Sequence, residues 1–222
     1  MSSRARVLLV DLPWSYNNRR KNRRDNPNKE NRFGLGAADR YMERDGFGGM
    51  TVKEMCALSP AIRDIVTTDA YCFMWATCPM LAEAQEVLKA WGFKYVGIPF
   101  FWTKTTSKTG ALFKGPGRYV PSNMEPVLLG VRARPWHTTT GPKPEQEIRC
   151  PHPRDPKTKK IIHSRKPPHV HERIEEWLGH QIGLSSMIEL FATEKRPGWV
   201  TLGGAISGLD IREELEQYAS GL

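Results

Sequence analysis

The chain has little cysteine, and it has no long apolar run. Only 4 of its 222 residues are cysteine, too few and too scattered for a disulfide framework. No apolar stretch is long enough to span a bilayer, and residues 1–4 do not resemble a signal peptide. We therefore expect a soluble, cytoplasmic protein with reduced cysteines.

The signatures of several common enzyme classes are missing as well. There is no Walker-type phosphate loop and no GxGxxG, and no GxSxG or catalytic Cys/His signature, which argues against simple hydrolysis. A group of potential zinc ligands lacks the paired spacings of zinc sites, so we expect a basic, histidine-rich loop near phosphate and no metal. Its members are Cys150, His152, His163, His169 and His171.

The chain does carry an excess of positive charge. Its 33 Lys+Arg against 24 Asp+Glu give a formal net charge of +9, which favours a polyanionic partner such as nucleic acid. Much of this charge lies in long polar connections at about 17–50, 105–122 and 134–165. The run 19–24 has five positive charges in six residues. Such a run is typical of a solvated face or of phosphate contacts, and both interpretations stay open.

Apolar runs alternate with amphipathic segments along the chain. Strands are predicted at 7–10, 71–76, 95–102, 125–132, 187–192 and 199–202, and helices at 51–66, 79–91, 167–179 and from 211. Thr51 and Glu54 have the spacing of a capping box, and Pro60 breaks or restarts that helix. The strand–helix–strand order over 71–102 implies a parallel sheet. The pattern predicts one doubly wound α/β domain over 1–222.

The most informative residues follow the first strand directly. Asp11-Leu12-Pro13-Trp14 leaves the carboxyl end of that strand, where ligands bind in open α/β sheets. A carboxylate and a backbone carbonyl can accept hydrogen bonds from an exocyclic amine, and an indole can stack on a planar ring. The tetrapeptide is therefore typical either of a clamp for an amine-bearing ring or of a turn cap.

Further motifs follow the tetrapeptide in a fixed order over nearly the whole chain. They are Phe73–Thr77, Trp91–Phe93 running into Phe101–Lys104, a strand with Glu125, Ser164–Pro167, and Ile188–Ala192 followed by Arg196–Trp199. With these motifs the chain resembles the DPPW-type N6-adenine methyltransferases, which include the catalytic subunit of the messenger-RNA adenosine methyltransferase and bacterial and phage relatives. The resemblance implies a Rossmann-like methyltransferase fold, with a mostly parallel sheet, helices on both faces and a permuted motif order.

The same resemblance implies a cofactor and roles for individual residues. The cofactor is S-adenosyl-L-methionine, and its expected site consists of Asp11, Lys166, Glu189, Leu190 and Phe191. The catalytic element is Asp11, Leu12, Pro13 and Trp14: the acid and the Leu12 carbonyl accept hydrogen bonds from adenine N6–H, and the indole positions the ring. The expected substrate contacts are Arg19, Arg20, Arg23, Arg24, Lys104 and Glu125.

These features predict methyl transfer to N6 of adenine in nucleic acid. DNA is favoured over RNA, because no separate RNA-binding domain is visible in the sequence. The alternative is a catalytically silent, nucleic-acid-binding partner subunit, although silent members lose the acid or the aromatic that Asp11 and Trp14 retain. A cytosine-N4 enzyme would carry Ser at position 11, and a nucleotide-binding enzyme of another class would need a phosphate loop. A homodimer or a heterodimer with a related subunit is compatible with either function.

The chain departs from the family pattern in three places. Leu12 replaces the first proline of the tetrapeptide but keeps the backbone carbonyl. Gly203-Gly204-Ala205 stands where relatives carry Asn with Gln or Glu for the ribose, and Thr193 stands where many bacterial relatives carry Arg. The ribose contacts are therefore left unassigned.

Overall fold

A computed structural model of the protein describes residues 4–14, 49–115, 119–133, 143–162, 165–179 and 186–222. Seven strands of this part of the chain form one sheet. They are β1 (Ala5–Asp11), β2 (Val66–Trp75), β3 (Lys94–Thr105), β4 (Met124–Val131), β5 (Glu147–Pro151), β6 (Met187–Leu190) and β7 (Val200–Leu202). Their order is β5-β3-β4-β2-β1-β6-β7. All described pairings are parallel except those of β4, which runs against both of its neighbours.

Helices cover both faces of the sheet. They are α1 (Val52–Ala57), α2 (Ser59–Ile65), α3 (Leu81–Ala90), α4 (His169–Ile174), α5 (Gly204–Ser207) and α6 (Ile211–Ser220). A 3-10 turn, Cys78–Met80, precedes α3, and a π-helical turn, Glu175–Gly179, continues α4. None of the helices in the described ranges is both long and apolar enough to cross a membrane. The predicted α/β class, with a mostly parallel sheet and helices on both faces, is confirmed.

The core consists of two layers because alternate side chains of a strand point to opposite faces. Leu8 and Val10 of β1 pack with side chains of α1, α2, α3 and α6. Val7 and Leu9 pack on the other face with aromatic residues of β2 and β3 and with apolar residues of α4, such as Val170. Strand β1 is therefore held from both sides, which fixes the position at which it ends.

The first helical region has the capping predicted from its sequence. The Glu54 carboxylate accepts a hydrogen bond from the Thr51 N–H at 2.8 Å, and the Glu54 N–H donates to Thr51 Oγ1 at 3.2 Å. The predicted helix 51–66 is two helices, because Leu58 ends α1 and Pro60 lies in the first turn of α2. Proline suits that position since a first-turn residue needs no N–H donor.

Two features of the sheet differ from the predicted pattern. Strands β2 and β3 run in the same direction, but β4 lies between them and pairs with both. In addition, Glu147–Pro151 forms β5 inside the segment predicted to be mostly loop. This strand is short and polar, and only Ile148 and Cys150 are buried, so its sequence shows little of the apolar pattern that marks a strand.

Candidate active site

One edge of the sheet collects the chemistry-bearing residues. Strand β1 ends there with Asp11, and its parallel neighbour β6 ends there with Leu190. Because β4 is antiparallel, its amino end brings Glu125 to the same edge. Residues that are far apart in sequence therefore meet at the carboxyl edge of the sheet, where ligands usually bind in open α/β proteins.

Four charged side chains alternate in sign at this edge. Lys166 Nζ donates a hydrogen bond to Asp11 Oδ2 at 2.8 Å and lies 3.8 Å from Glu125 Oε2. Lys104 Nζ in turn donates to Glu125 Oε1 at 2.5 Å. We call Asp11, Lys166, Glu125 and Lys104 the charge network. Its two ammonium groups balance its two carboxylates, so the network as a whole is neutral when all four groups are ionised.

The two carboxyl groups of the network differ in their proton affinity. Burial raises the pKa of Asp11 above its ordinary value, the attraction of Lys166 opposes this, and the negative charges of Glu125 and Glu189 add to it. Burial acts in the same direction on Glu125, but Lys166 and Lys104 together outweigh it and lower the pKa of Glu125. Asp11 is thus the better proton acceptor of the pair, and 27% of its side chain is still exposed.

Two tryptophans support the ammonium groups from the sheet. Lys166 Nζ lies 5.7 Å from the ring centre of Trp75, and Lys104 Nζ lies 4.8 Å from that of Trp102. The two indoles meet edge to face with their centres 6.4 Å apart. Cation–π attraction at these distances holds a partly desolvated ammonium in place. The β2 and β3 aromatics therefore help to position the charge network.

The tetrapeptide after β1 is held by backbone hydrogen bonds. The Trp14 N–H donates to the Leu12 carbonyl at 3.0 Å, and the Met50 N–H donates to the Pro13 carbonyl at 2.8 Å. A carbonyl oxygen has two lone pairs, so the Leu12 carbonyl keeps the capacity for a second donor. The Trp14 indole is only 5% exposed and packs in the core with Met50. Its stacking on a substrate ring therefore stays a prediction.

The end of β6 lies beside the network. Glu189 Oε2 is 2.8 Å from Nε2 of the buried His171. Leu190 is fully buried and belongs to the core, whereas Phe191 is half-buried and has a left-handed backbone, with φ of 59°. Of these three expected cofactor residues, Glu189 and Phe191 can therefore present side-chain surface at this edge, and Leu190 can present only its backbone.

Close backbone contact fixes the loop that follows β6. The Ala192 N–H donates to the Leu202 carbonyl at 3.0 Å. A Cβ atom at Gly203 would lie 2.3 Å from the Ala192 carbonyl oxygen, which is closer than packing allows. Glycine at 203 is therefore required by this approach, whatever the ribose contacts are.

From the sequence alone, His171 is recognised only as a potential metal ligand. In the structure it packs edge to face on Trp199 with ring centres 5.0 Å apart, and Trp199 Nε1 donates to Glu175 Oε1 at 2.6 Å. The sequence does contain one sign of a polar partner such as His171. Glu189 is an acid inside an otherwise apolar strand, and a half-buried carboxylate requires a polar partner. No group of three or more potential ligands suited to a metal occurs among the described residues.

Some predicted positions lie outside the described residues. They are Arg19, Arg20, Arg23 and Arg24, together with His163 and Ser164. The predicted substrate residues Lys104 and Glu125 do lie at the site, where they form one ion pair of the charge network. Of the zinc candidates in the described part, His152 contacts Trp102 and Phe113, and these contacts are separate from those of the His171–Glu189 pair.

The site as a whole suits a zwitterionic ligand. An ammonium group and a carboxylate on one molecule would find opposite charges side by side at Asp11 and Lys166. Hydrogen bonds that join ionised groups are among the strongest in proteins. The half-buried ring of Phe191 adds apolar surface at the neighbouring strand.

Comparison with known proteins extends these observations over the chain. The model of the MT-A70 family matches residues 6–205. The type II methyltransferase M.MunI of Mycoplasma sp is 26% identical over 197 residues, which cover 89% of this chain and 76% of that protein. The N(6)-adenosine-methyltransferase catalytic subunit METTL3 of Homo sapiens is 26% identical over 172 residues, which cover 74% of this chain but only 26% of METTL3.

Proposed function

Since the chain belongs to the MT-A70 family, we propose that it transfers a methyl group from S-adenosyl-L-methionine to N6 of adenine in nucleic acid. The resemblance seen in the motifs is confirmed by the family match, and the α/β sheet described above is the methyltransferase fold of that family. The observation that carries the proposal is the Asp11–Lys166 ion pair at the carboxyl edge of the sheet. We propose that residues 1–222 act as one methyltransferase domain in the cytoplasm.

The charges at the site fit the methionine part of the cofactor. That part carries a carboxylate, which Lys166 can bind, and an ammonium group, which Asp11 and Glu189 can bind. Phe191 can line the adenosyl part, and the backbone at Leu190 can border it. When bound, the cofactor supplies a methyl group on a sulfonium. Asp11 and Lys166 already lie next to each other, so their side chains need little rearrangement to bind the ammonium group and the carboxylate of the cofactor.

The tetrapeptide can make the adenine nitrogen a better nucleophile. The N6 lone pair is delocalised into the ring, and N6–H hydrogen bonds to the Asp11 carboxylate and the Leu12 carbonyl draw the nitrogen toward tetrahedral geometry. Lys166 uses Asp11 Oδ2, so Oδ1 is the oxygen that accepts from N6–H. Both acceptors would stabilise the positive charge that develops on N6 as it takes up the methyl group that the bound cofactor would supply. One N6 proton then leaves, and Asp11, whose pKa is raised by burial, is placed to accept it.

Of the two polymers we propose DNA. The alignment with M.MunI, the relative that acts on DNA, covers 89% of the chain, whereas the alignment with METTL3, the relative that acts on RNA, covers 74%. One observation favours the alternative of a silent nucleic-acid-binding subunit: the Trp14 indole is buried and offers little surface for a base. Such a subunit would pair with an active relative, as a heterodimer, and would bind nucleic acid without transferring methyl groups.

Methyl transfer from labelled S-adenosyl-L-methionine to adenine-containing DNA and RNA, followed by nucleoside analysis, tests the proposal. We expect N6-methyl-deoxyadenosine to be the main product. Asp11→Asn should lower the rate by about 10²–10³-fold, the range for loss of one transition-state acceptor or donor. Asp64→Asn, which removes an exposed acid on α2, is the matched control. Nucleic-acid binding without any methylated adenine would support the silent subunit instead.

A further inference from the structure

A cavity of about 370 Å³ lies beside the charge network. Its walls follow the carboxyl ends of β3 and β5, two strands that pair in parallel. One wall is the turn 105–109, and the other is the hairpin 151–161. We call this cavity the side pocket. It has no part in the cofactor and catalytic contacts proposed above.

The hairpin wall has its own internal hydrogen bonds. Arg154 and Ile161 form an antiparallel bridge, and Arg154 Nη1 donates to the Lys159 carbonyl at 2.7 Å. The Asp155 carboxylate accepts from the Thr158 N–H at 2.6 Å and from the Lys157 N–H at 2.9 Å. Hydrogen bonds from the Thr158 backbone lower the pKa of Asp155. The Asp155 carboxylate is therefore held in the turn in its ionised form, and the four basic residues of the hairpin outnumber it, so the wall is positive overall.

The opposite wall is rich in hydroxyl groups. Thr105, Thr106, Ser107 and Thr109 line it, together with Lys108. The turn is closed by a 2.7 Å hydrogen bond between the Thr106 and Thr109 hydroxyls and by the Thr106 N–H, which donates to the Ala111 carbonyl at 2.8 Å. Hydroxyls and an ammonium are suitable donors for phosphate oxygens.

The interior of the side pocket is aromatic and apolar. The His152 ring meets Phe113 and Trp102 edge to face, with both pairs of ring centres 5.0 Å apart. Ile161 adds apolar surface. Aromatic faces bind nucleobases with little dependence on sequence, at about 1–3 kcal/mol per base.

The side pocket is directly joined to the charge network. Trp102, which contacts His152, also supports Lys104, the partner of Glu125. In addition, the lowered pKa of Glu125, which is caused mainly by Lys166 and Lys104, has a smaller contribution from His152, so this ring lies near the network. The pocket, at the ends of β3 and β5, thus lies along the same edge of the sheet as Asp11 at the end of β1, so a strand whose target base is held at Asp11 can continue along that edge toward the pocket.

From this arrangement we propose that the side pocket binds the nucleotide next to the target adenine. Its phosphate lies between Lys108 and Arg154, and its base or sugar packs on Phe113 and His152. The volume is at the lower end of the roughly 300–1,000 Å³ range of ligand pockets, which suits one nucleotide and not a folded element. The inference rests on the proposed function, because it assumes that nucleic acid is the substrate.

Salt-dependent binding of a labelled single-stranded DNA with one adenine tests the proposal. For single strands, the slope of log K against log salt concentration becomes shallower by about 0.7 for each phosphate that the protein no longer neutralises. Because Lys108 and Arg154 share one phosphate, we expect the full decrease of about 0.7 only for the double variant and a smaller decrease for Lys108→Ala or Arg154→Ala alone. Lys157→Ala removes an exposed cation from the hairpin, and Lys114→Ala removes one that follows Phe113; neither residue lines the pocket, so they are the matched controls. A slope change equal to that of the controls would overturn the proposal.

A neutral phosphate analogue locates the phosphate that the pocket binds. Replacing one linkage next to the adenine with methylphosphonate should weaken binding by the full protein, and the double variant should not respond to the same replacement. If the double variant stays equally sensitive at every linkage, the phosphate lies elsewhere. Both measurements record binding and not catalysis. If the variants change the salt slope as expected but the unmodified protein yields no methylated adenine, the proposed function is refuted. If methylated adenine forms but Lys108→Ala and Arg154→Ala leave the salt slope unchanged, only the side-pocket proposal is refuted.

Discussion

Replacing Lys166 with methionine should destabilise the protein near neutral pH. The substitution leaves an apolar chain of similar length between two carboxylates, Asp11 and Glu125. Removing one partner of a fully buried ion pair costs about 3–5 kcal/mol, whereas exposed pairs contribute about 0–1 kcal/mol. Because the Lys166 side chain is 17% exposed and that of Asp11 is 27% exposed, we expect an intermediate loss of about 2 kcal/mol.

The loss should shrink as the solution becomes acidic. Burial already raises the pKa of Asp11, and Lys166 is the main group that opposes it. Without that ammonium the pKa of Asp11 rises further, and the pKa of Glu125 rises as well, although Lys104 still lowers it. An acid with a raised folded-state pKa is fully destabilising above that pKa, less so as the pH falls from it toward the unfolded-state pKa, and not at all below the unfolded-state pKa. The stability that the variant lacks at neutral pH should therefore return as the pH falls through the raised pKa values.

Urea unfolding followed by tryptophan fluorescence measures both effects. At about pH 7 the deficit of Lys166→Met relative to the unmodified protein should be about 2 kcal/mol, or about 4–8 °C in Tm for a chain of this size. At about pH 4.5, near ordinary carboxyl pKa values, the deficit should be clearly smaller. Lys53→Met, an exposed change on α1, is the control. Equal deficits at the two pH values would refute the electrostatic reasoning, because a packing defect alone does not titrate.

Further variants test the backbone and the neighbouring contacts. In thermal melts, Gly203→Ala should destabilise the folded protein by about 1–3 kcal/mol, because its Cβ would lie 2.3 Å from the Ala192 carbonyl oxygen. A Cβ at Gly110 would meet nothing within 4 Å. Gly110→Ala should therefore show only the cost of its positive φ, about 1–2 kcal/mol. Leu12→Pro keeps the carbonyl acceptor and should change kcat/KM by less than about tenfold; a larger loss would show that more than the carbonyl is needed. His171→Phe removes the partner of Glu189 and should weaken cofactor binding in calorimetry, whereas unchanged affinity would separate Glu189 from the cofactor.

Local signals in the sequence predict local structure well. The Thr51–Glu54 capping box and the break at Pro60 are confirmed because both depend on neighbouring residues alone. The position of Asp11 at the end of β1 is confirmed for the same reason, since a continuous apolar run marks a buried strand. Its meeting with Lys166, 155 residues away, depends on strand order and was available only through the family resemblance.

Pairing between distant strands carries no such local signal. The insertion of β4 between β2 and β3 leaves each strand equally apolar, so the strand–helix–strand pattern does not reveal it. The burial of Trp14 is hidden for a similar reason, because a tryptophan after a strand suits a ligand site and a core equally well. The roles of the side chains in binding and catalysis stay predictions, because they depend on ligands and not on the fold.

The bridge between Trp14 and Met50 has a consequence for how this site could diversify. The chain leaves the tetrapeptide after Trp14 and returns at Met50, whose N–H binds the Pro13 carbonyl. The intervening segment therefore begins and ends at one pair of residues. In general, doubling the length of a flexible loop between fixed ends costs only about 0.6 kcal/mol in closure entropy. Insertions, deletions or exchanges between Trp14 and Met50 should therefore leave the position of Asp11 unchanged. Residues that select the substrate could then change there without altering the residues of the reaction.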